Sequence, residues 1–362
     1  MKVIFDVTAY GEPFWEHWRG EWPGGSEEAV MTIAQATRRL GDDVSLVHGG
    51  KEEQRLDGLS FLPVGKAPRY ADLVVLCENP GNMGYFRAPQ YIALHTSGSG
   101  LFVGTEPDTH HVVFSKFQWD NMCRHLPLLA SEPYSVIAIG IHTEDYPYEM
   151  LSQKVRGRVL WCSSPDRGLW LWSSHYWEML KKEVPWATLH VTYDFNGLLD
   201  RLRFLCDHEA QQLYEFREWA KGRDDVVILP RLSRKEFLKE QAEAQVFPYL
   251  YCPMGAGTEC YPQAVVECAA AGCVPIACDW ECMGEIMAGG LGVVTPNDDH
   301  YIGVTQAAIG LLKDDGLYRR QQGKSRKAAM KQGRAVFLDA WVKLLRELHN
   351  ASHKQEAVGS PA

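Results

Sequence analysis

The stretch from Ala264 to Cys278 limits what this chain can become. Its residues are apolar or small, it turns once at Gly272, and it carries one charge, Glu267. Ala264 to Ala271 are helix formers or small. Pro262 suits the first turn of a helix, where its missing N–H is not needed. Gly272 suits the left-handed position that ends one, and Val274 to Ala277 then reads as a short buried strand. A helix apolar on nearly every side is a buried helix. A lone carboxylate in such a helix needs a partner, so Glu267 either pairs inside the fold or faces a cleft. Glu259 lies just before the helix, in a loop with Gly257, near the positive end of the helix dipole. Free N–H groups at a helix start receive anions.

Length and charge narrow the classes. The 362 residues suggest two domains, and 46% hydrophobic with 23% charged residues is a globular composition. No apolar run reaches the roughly 18 residues of a membrane span. The start, Met1 to Val7, is interrupted by Asp6 too soon for a signal peptide and reads as a first strand. A net charge of −9 argues against nucleic acid as the primary partner. The ten cysteines contain no CxxC pair, and several (Cys206, Cys268, Cys273, Cys278) lie in apolar or helical runs. That usage fits reduced, buried thiols and a cytoplasmic protein rather than a disulfide framework or zinc site.

Along the chain, strands and helices alternate. Lys2 to Val7 is a strand, and Thr8 to Pro23 a loop holding Tyr10, Phe14, Trp15, Trp18 and Trp22. Gly24-Gly25-Ser26-Glu27-Glu28 opens a helix to about Leu40, with Ser26 as its cap; Val44 to His48 is the next strand. Strand, glycine turn, helix, strand is a βαβ unit and implies a parallel sheet. The glycine pair reads equally as a helix-capping turn or as a backbone approach for phosphate. Tyr91 to His95 is a strand ending at His95, where ligand-lining residues of parallel sheets are found. His110 and His111 precede a strand at Val112 to Phe114 and lack that position. Val136 to Gly140 closes the first half, and a charged linker with Pro147 spans Asp145 to Gly157. Arg158 to Cys162 is a strand leading to Arg167-Gly168. Ser233 caps a helix to about Ala244, and Ala335 to His349 is an amphipathic helix.

Glu259, seven intervening residues, Glu267, and then Cys-Ala-Ala-Ala-Gly-Cys-Val-Pro-Ile resemble the signature of retaining GT-B glycosyltransferases of family GT4. Cys268 stands where that family has Ala. Gly24-Gly25, His95, Gly140-Ile-His142, Arg167-Gly168 and the loop Pro230 to Ser233 are similar to further elements of the family. One departs from it: the family's first phosphate-binding Arg is replaced by Trp161 or a near neighbour, leaving one cation where two are usual.

The resemblance implies an α/β GT-B fold of two doubly wound Rossmann-like domains facing across a cleft. Residues 1–150 form the acceptor side and 151–330 the donor side. A helix at 331–350 packs back on the first domain, and 351–362 is a disordered tail. It implies transfer of a sugar from a nucleotide diphosphate sugar to a glycan or other hydroxyl acceptor, with retention. No metal is expected, since no Asp-x-Asp is placed to hold one, and no cofactor beyond the donor. Gly24, Gly25, Arg167 and the backbone from Tyr261 through Pro262 to Gln263 would hold the diphosphate. Arg231 lies in the nucleobase loop. Glu267 would bind ribose hydroxyls, and Glu259 and His95 the transferred sugar. Trp15 and Trp18 would form an acceptor platform, or simply pack under a long loop. With no span expected, membrane contact would be peripheral. Two other readings stay open: a sugar-nucleotide binder without catalysis, and a nucleotide-sugar epimerase on the same fold.

Overall fold

The computed structural model describes residues 1–10, 25–78, 84–96, 109–193, 195–202, 207–250, 258–297 and 301–358. The chain forms two units, one of Met1–Gly140 with Arg334–Ala362 and one of Ile141–Gly333.

In the first unit, β1 (Lys2–Asp6) is followed by α1 (Gly25–Arg39) and β2 (Asp43–His48). Glu27 and Glu28 in the first turn of α1 and Arg38 and Arg39 in the last complement its dipole. Ser26, expected as the cap, is inside the helix, which starts at Gly25. Val30, Ile33, Ala34 and Thr37 are buried as their spacing requires, whereas Leu40, beyond the helix end, is exposed. The antiparallel pair β3 (Gln54–Leu56) and β4 (Leu59–Pro63) comes next, then β5 (Leu73–Cys77), β6 (Tyr91–Leu94), β7 (Thr109–Val113), α2 (Lys116–His125) and β8 (Tyr134–Val136). The sheet order is β3-β4-β2-β1-β5-β6-β7-β8, parallel apart from β3. The chain works outward from β1 in one direction and then in the other, so the strand order reverses between β1 and β5.

Two sequence expectations change here. His110 and His111 lie inside β7, paired with Ile92 and Ala93 of β6, rather than before a strand. The last strand is Tyr134–Val136 and not Val136 to Gly140: Ile137 N–H still bonds the Val113 carbonyl at 2.8 Å, and the chain then leaves the sheet.

The second unit begins at Ile141, ahead of residue 150 and of the linker expected at Asp145 to Gly157. That stretch is tied down in the second unit. Arg234 binds the Asp145 carboxylate and Tyr146 hydroxyl, Arg326 binds the Tyr146 carbonyl at 2.6 Å, and Val155 N–H bonds Glu243 O at 2.8 Å. Then come β9 (Arg158–Trp161), α3 (Leu169–Glu183), β10 (Thr188–Thr192), α4 (Phe195–Leu202), α5 (Asp207–Ala220) and β11 (Val226–Leu229). They are followed by α6 (Arg234–Glu243), β12 (Val246–Tyr249), α7 (Gln263–Ala270), β13 (Val274–Cys278), α8 (Met283–Met287), β14 (Val293–Thr295), α9 (Tyr301–Lys313) and α10 (Asp315–Ala329). The sheet order is β11-β10-β9-β12-β13-β14, all parallel. Its order reverses between β9 and β12. Trp161, Trp172 and Trp177 are fully buried in its core. Ser233 caps α6 in a full capping box with Glu236. Gly272 adopts φ +76 and ends α7.

The final helix, α11 (Arg334–Val358), returns to the first unit. Phe337, Trp341, Leu344 and Leu345 are buried, Trp341 Nε1 donates to Thr37 Oγ1 of α1 at 3.2 Å, and Arg334 pairs with Glu28. The helix runs past residue 350. No Gly or Pro interrupts it before Gly359, and the intervening residues have ordinary helix propensity.

Candidate functional site

In open parallel sheets, ligands bind at the carboxyl ends of the strands where the strand order reverses. In the second unit that place is beyond Trp161 of β9 and Tyr249 of β12. Arg167 sits in the turn that follows β9, ahead of Gly168, whose φ of +104 lets the chain enter α3. Its guanidinium pairs with Glu259, and its Nη1 lies 3.2 Å from the Tyr249 hydroxyl, which itself donates to the same Glu259 oxygen. The three side chains close a triangle at the reversal point.

Glu259 is only 5% exposed, whereas the Arg167 side chain is 38% exposed, so the cation presents the open side of the cluster. Burial, and then the Glu259 carboxylate, hold the Tyr249 phenol well above its usual range, with Arg167 pulling the other way. It therefore stays neutral and donates. The Glu259 amide is taken by Glu281 Oε2 at 2.7 Å. Burial, more than its neighbours, raises the Glu281 carboxyl. Tyr249 and Glu281 were invisible as site residues in the sequence. Glu281 does carry one signal in the structure, a left-handed φ of +49 at a non-glycine position.

Glu267 resolves toward pairing. It is 4% exposed, and Arg234 Nη1 donates to its Oε1 at 3.0 Å. The same guanidinium spans to Asp145 Oδ2 at 2.9 Å and to the Tyr146 hydroxyl at 3.0 Å. Arg231, the arginine singled out from sequence, is exposed; the one that reaches Glu267 is Arg234, three residues on. Arg234 also lines an open groove of about 440 Å³ with Met150, Lys235 and Leu238. Cys268 packs its sulfur 3.4 Å from Cys162, just after β9. Burial raises both thiols, so they are neutral packing groups. Among the described residues no cysteine is in a disulfide, and no three His, Cys, Asp or Glu side chains are grouped to hold a metal ion.

The backbone expected to receive phosphate at Tyr261 to Gln263 is already engaged. Tyr261 N–H donates to Glu259 Oε1 at 3.2 Å and Gln263 N–H to the Tyr261 carbonyl at 2.9 Å, and Pro262 has no N–H. Pro262 is the residue before α7 rather than within its first turn. The Tyr261 hydroxyl is 2.6 Å from Gln332 Oε1. This segment serves to hold Glu259 and to launch the helix that carries Glu267.

In the first unit, His95 follows β6. It is 3% exposed, and its Nε2 lies 2.9 Å from Nδ1 of His111. The next residue, Thr96, accepts from the Tyr10 hydroxyl at 2.7 Å and donates to Glu78 Oε1 at 2.7 Å. Glu78 follows β5 with φ +63. Gly25 opens α1. Gly24, Trp15 and Trp18 lie outside the described residues.

No family model and no curated protein matches the chain in sequence. Solved structures do match in shape. Sucrose-phosphate synthase from Thermosynechococcus elongatus gives a TM-score of 0.73 at 11% identity, over 97% of this chain and 100% of that one. A glycosyltransferase from Rickettsia africae gives 0.66 at 12%, over 96% and 98%. HepE from Anabaena, in complex with UDP and glucose, gives 0.65 at 13%, over 96% and 100%. Identities this low speak for architecture alone. The chain has the GT-B fold. Within that fold, the Arg167–Tyr249–Glu259 triangle occupies the strand-order reversal of the second Rossmann-like unit, and His95 a strand end of the first. No helix among the described residues is long and apolar enough to cross a membrane.

Proposed function

We propose that the protein is a retaining, metal-independent glycosyltransferase similar to family GT4, moving a sugar from a nucleotide diphosphate sugar to a hydroxyl acceptor. The observation that carries this is the meeting of Arg167 and Glu259 at the reversal point between β9 and β12. Two residues, ninety-two apart in the chain, were assigned separately to diphosphate and sugar, and they share one hydrogen-bonded cluster. Structures of similar shape include HepE from Anabaena, solved with UDP-glucose.

In this reading the bond from the anomeric carbon to the diphosphate oxygen breaks as one to the acceptor oxygen forms, and the acceptor's proton leaves with the diphosphate. Arg167 stabilises the charge that grows on the departing group. Glu259 binds hydroxyls of the transferred sugar and Glu267 those of the ribose, each sharing its carboxylate with an arginine. His95 is assigned to the transferred sugar. Arg231 and Gly25 remain donor-side candidates. Gly24, Trp15 and Trp18 keep their assignments to diphosphate and acceptor.

One observation favours a second reading, a sugar-nucleotide binder without turnover. Trp161 is fully buried with its Nε1 bonded to Ser163 O at 3.0 Å, so it supplies nothing to a diphosphate, and Arg167 is already paired with Glu259. The test is donor turnover across UDP-, GDP- and ADP-sugars, with and without EDTA, in the wild type and in Glu259→Gln. Transfer gives acceptor-dependent product of retained anomer, unaffected by EDTA. Glu259→Gln removes the carboxylate that pairs with Arg167, so it binds bare nucleoside diphosphate about tenfold tighter, the equivalent of one charge-assisted hydrogen bond, while transfer falls. Tight binding with no turnover on any acceptor supports the binder. Sugar interconversion without acceptor would be epimerase behaviour. Unchanged nucleotide affinity in both Glu259→Gln and Arg167→Ala sinks the site.

A further inference from the structure

His95 and His111 are joined by a single hydrogen between two buried nitrogens. The rings lie 12° from coplanar with centroids 5.2 Å apart, and Nε2 of one is 2.9 Å from Nδ1 of the other. This is edge-to-edge joining along an N–H···N line rather than face stacking. The His95 backbone is fixed on both sides: its N–H bonds Val112 O at 2.9 Å and its carbonyl accepts from Gln118 Nε2 at 3.0 Å. His111 is held by the β7 ladder and by Trp119, whose centroid is 5.4 Å away and which stacks in turn on Tyr134 at 4.3 Å. Both rings are buried.

Which ring donates is decided at the far side of His111. Its Nε2 is buried and has no hydrogen-bond partner. Were His95 the donor, neutral His111 would carry its own proton on that Nε2, as an orphaned N–H. Were His111 the donor through Nδ1–H, only a lone pair would be left there. Orphaned buried N–H groups are rarer and costlier than under-satisfied acceptors. Both rings are neutral near pH 7: burial, and then His111, push the His95 imidazolium well below its usual range, and burial, and then His110, bring His111 down to about 4.

We propose that His111 is a positioning residue for His95: its Nδ1–H caps His95 Nε2 and fixes His95 as the Nδ1-protonated tautomer, so that the proton His95 offers to an oxygen of the transferred sugar is the one on Nδ1. The role in transfer rests on the assignment of His95 made above; the tautomer itself does not. Second-partner control of which ring nitrogen carries the proton is how buried histidines are set for their task.

The test has two arms, both on the full chain. Nitrogen spectra of protein carrying 15N-labelled histidine, assigned with the His95→Gln and His111→Leu variants, read the tautomers near pH 7. The expected result is a protonated Nδ1 and a bare Nε2 on both residues. A proton on His111 Nε2 overturns the proposal, and this arm reads out even if no donor is ever turned over. In the kinetic arm, His111→Leu lowers kcat about tenfold, the loss of one hydrogen bond to the transition state, with little change in donor KM. His111→Asn, which returns an N–H near the same place, recovers most of it. Wild-type kcat in His111→Leu, or an equal fall in His111→Asn at equal Tm, overturns the positioning role. Absence of transfer with the expected tautomers would instead count against the glycosyltransferase reading.

Discussion

Arg234 stands in the first turn of α6, where the helix dipole disfavours a cation. It is there because three acceptors converge on its fork: Glu267, Asp145 and the Tyr146 hydroxyl. Arg234→Ala leaves Glu267 buried without its counter-charge, a loss on the order of 3 kcal/mol. Arg234→Lys restores little of it, since one ammonium cannot span acceptors on two sides. Urea unfolding followed by the tryptophan signal of the second unit measures both; full recovery by lysine would show that charge alone is at work. The sequence exposes half of this arrangement. Glu267 stands out as a single charge in an apolar helix, so its need for a partner is legible. The partner lies thirty-three residues away, beyond a strand and a loop, and no local pattern points to it. The misplaced cation at the start of α6 is the one available hint.

At the scale of elements, β6 and β7 show what periodicity can and cannot deliver. Apolar runs mark β1, β5, β9 and β13 plainly, because strands buried on both faces leave no room for polar residues. β7 begins Thr-His-His, and its histidines read as loop until the pairing with β6 places them in the sheet, His111 buried and His110 half-buried. α4 and α8 escape the eye for being short, and the pair β3 and β4 for being brief and half-exposed. Placing neutral histidines in a buried strand has a measurable consequence. His111 is lowered from about 6.5 to about 4 by burial first and His110 second. Between those values the unfolded chain binds the proton and the native one does not, so stability rises with pH across that window and is lost as pH falls through it. His95 shifts in the same direction. Going from pH 7.5 to pH 5 should cost about 2 kcal/mol through His111 alone, seen as a falling midpoint in urea. The fall should be shallower in His111→Leu. An identical pH slope in that variant would mean that the strand histidines titrate freely in the native state.

At the scale of the molecule, the connectivity makes the two units unequal. The second is one continuous run, Ile141–Gly333, with its own sheet and core, whereas the first needs Arg334–Ala362 from the far end of the chain. α11 supplies Phe337, Trp341, Leu344 and Leu345, all buried, together with the bond from Trp341 to Thr37 and the pairing of Arg334 with Glu28. Burying one large apolar side chain stabilises by about 1.5–3 kcal/mol, so four of them rival the roughly 5–15 kcal/mol that hold a whole domain together. A fragment of residues 141–333 should therefore unfold in one cooperative step. A fragment of 1–140 alone should not, and should bind a hydrophobic dye instead. Joining 334–362 to it through a flexible linker should restore cooperativity. Calorimetry with near-ultraviolet dichroism separates these outcomes. A cooperative melt from 1–140 alone would mean that the core of the first unit closes without α11, and that the burial of Trp341 contributes little to it.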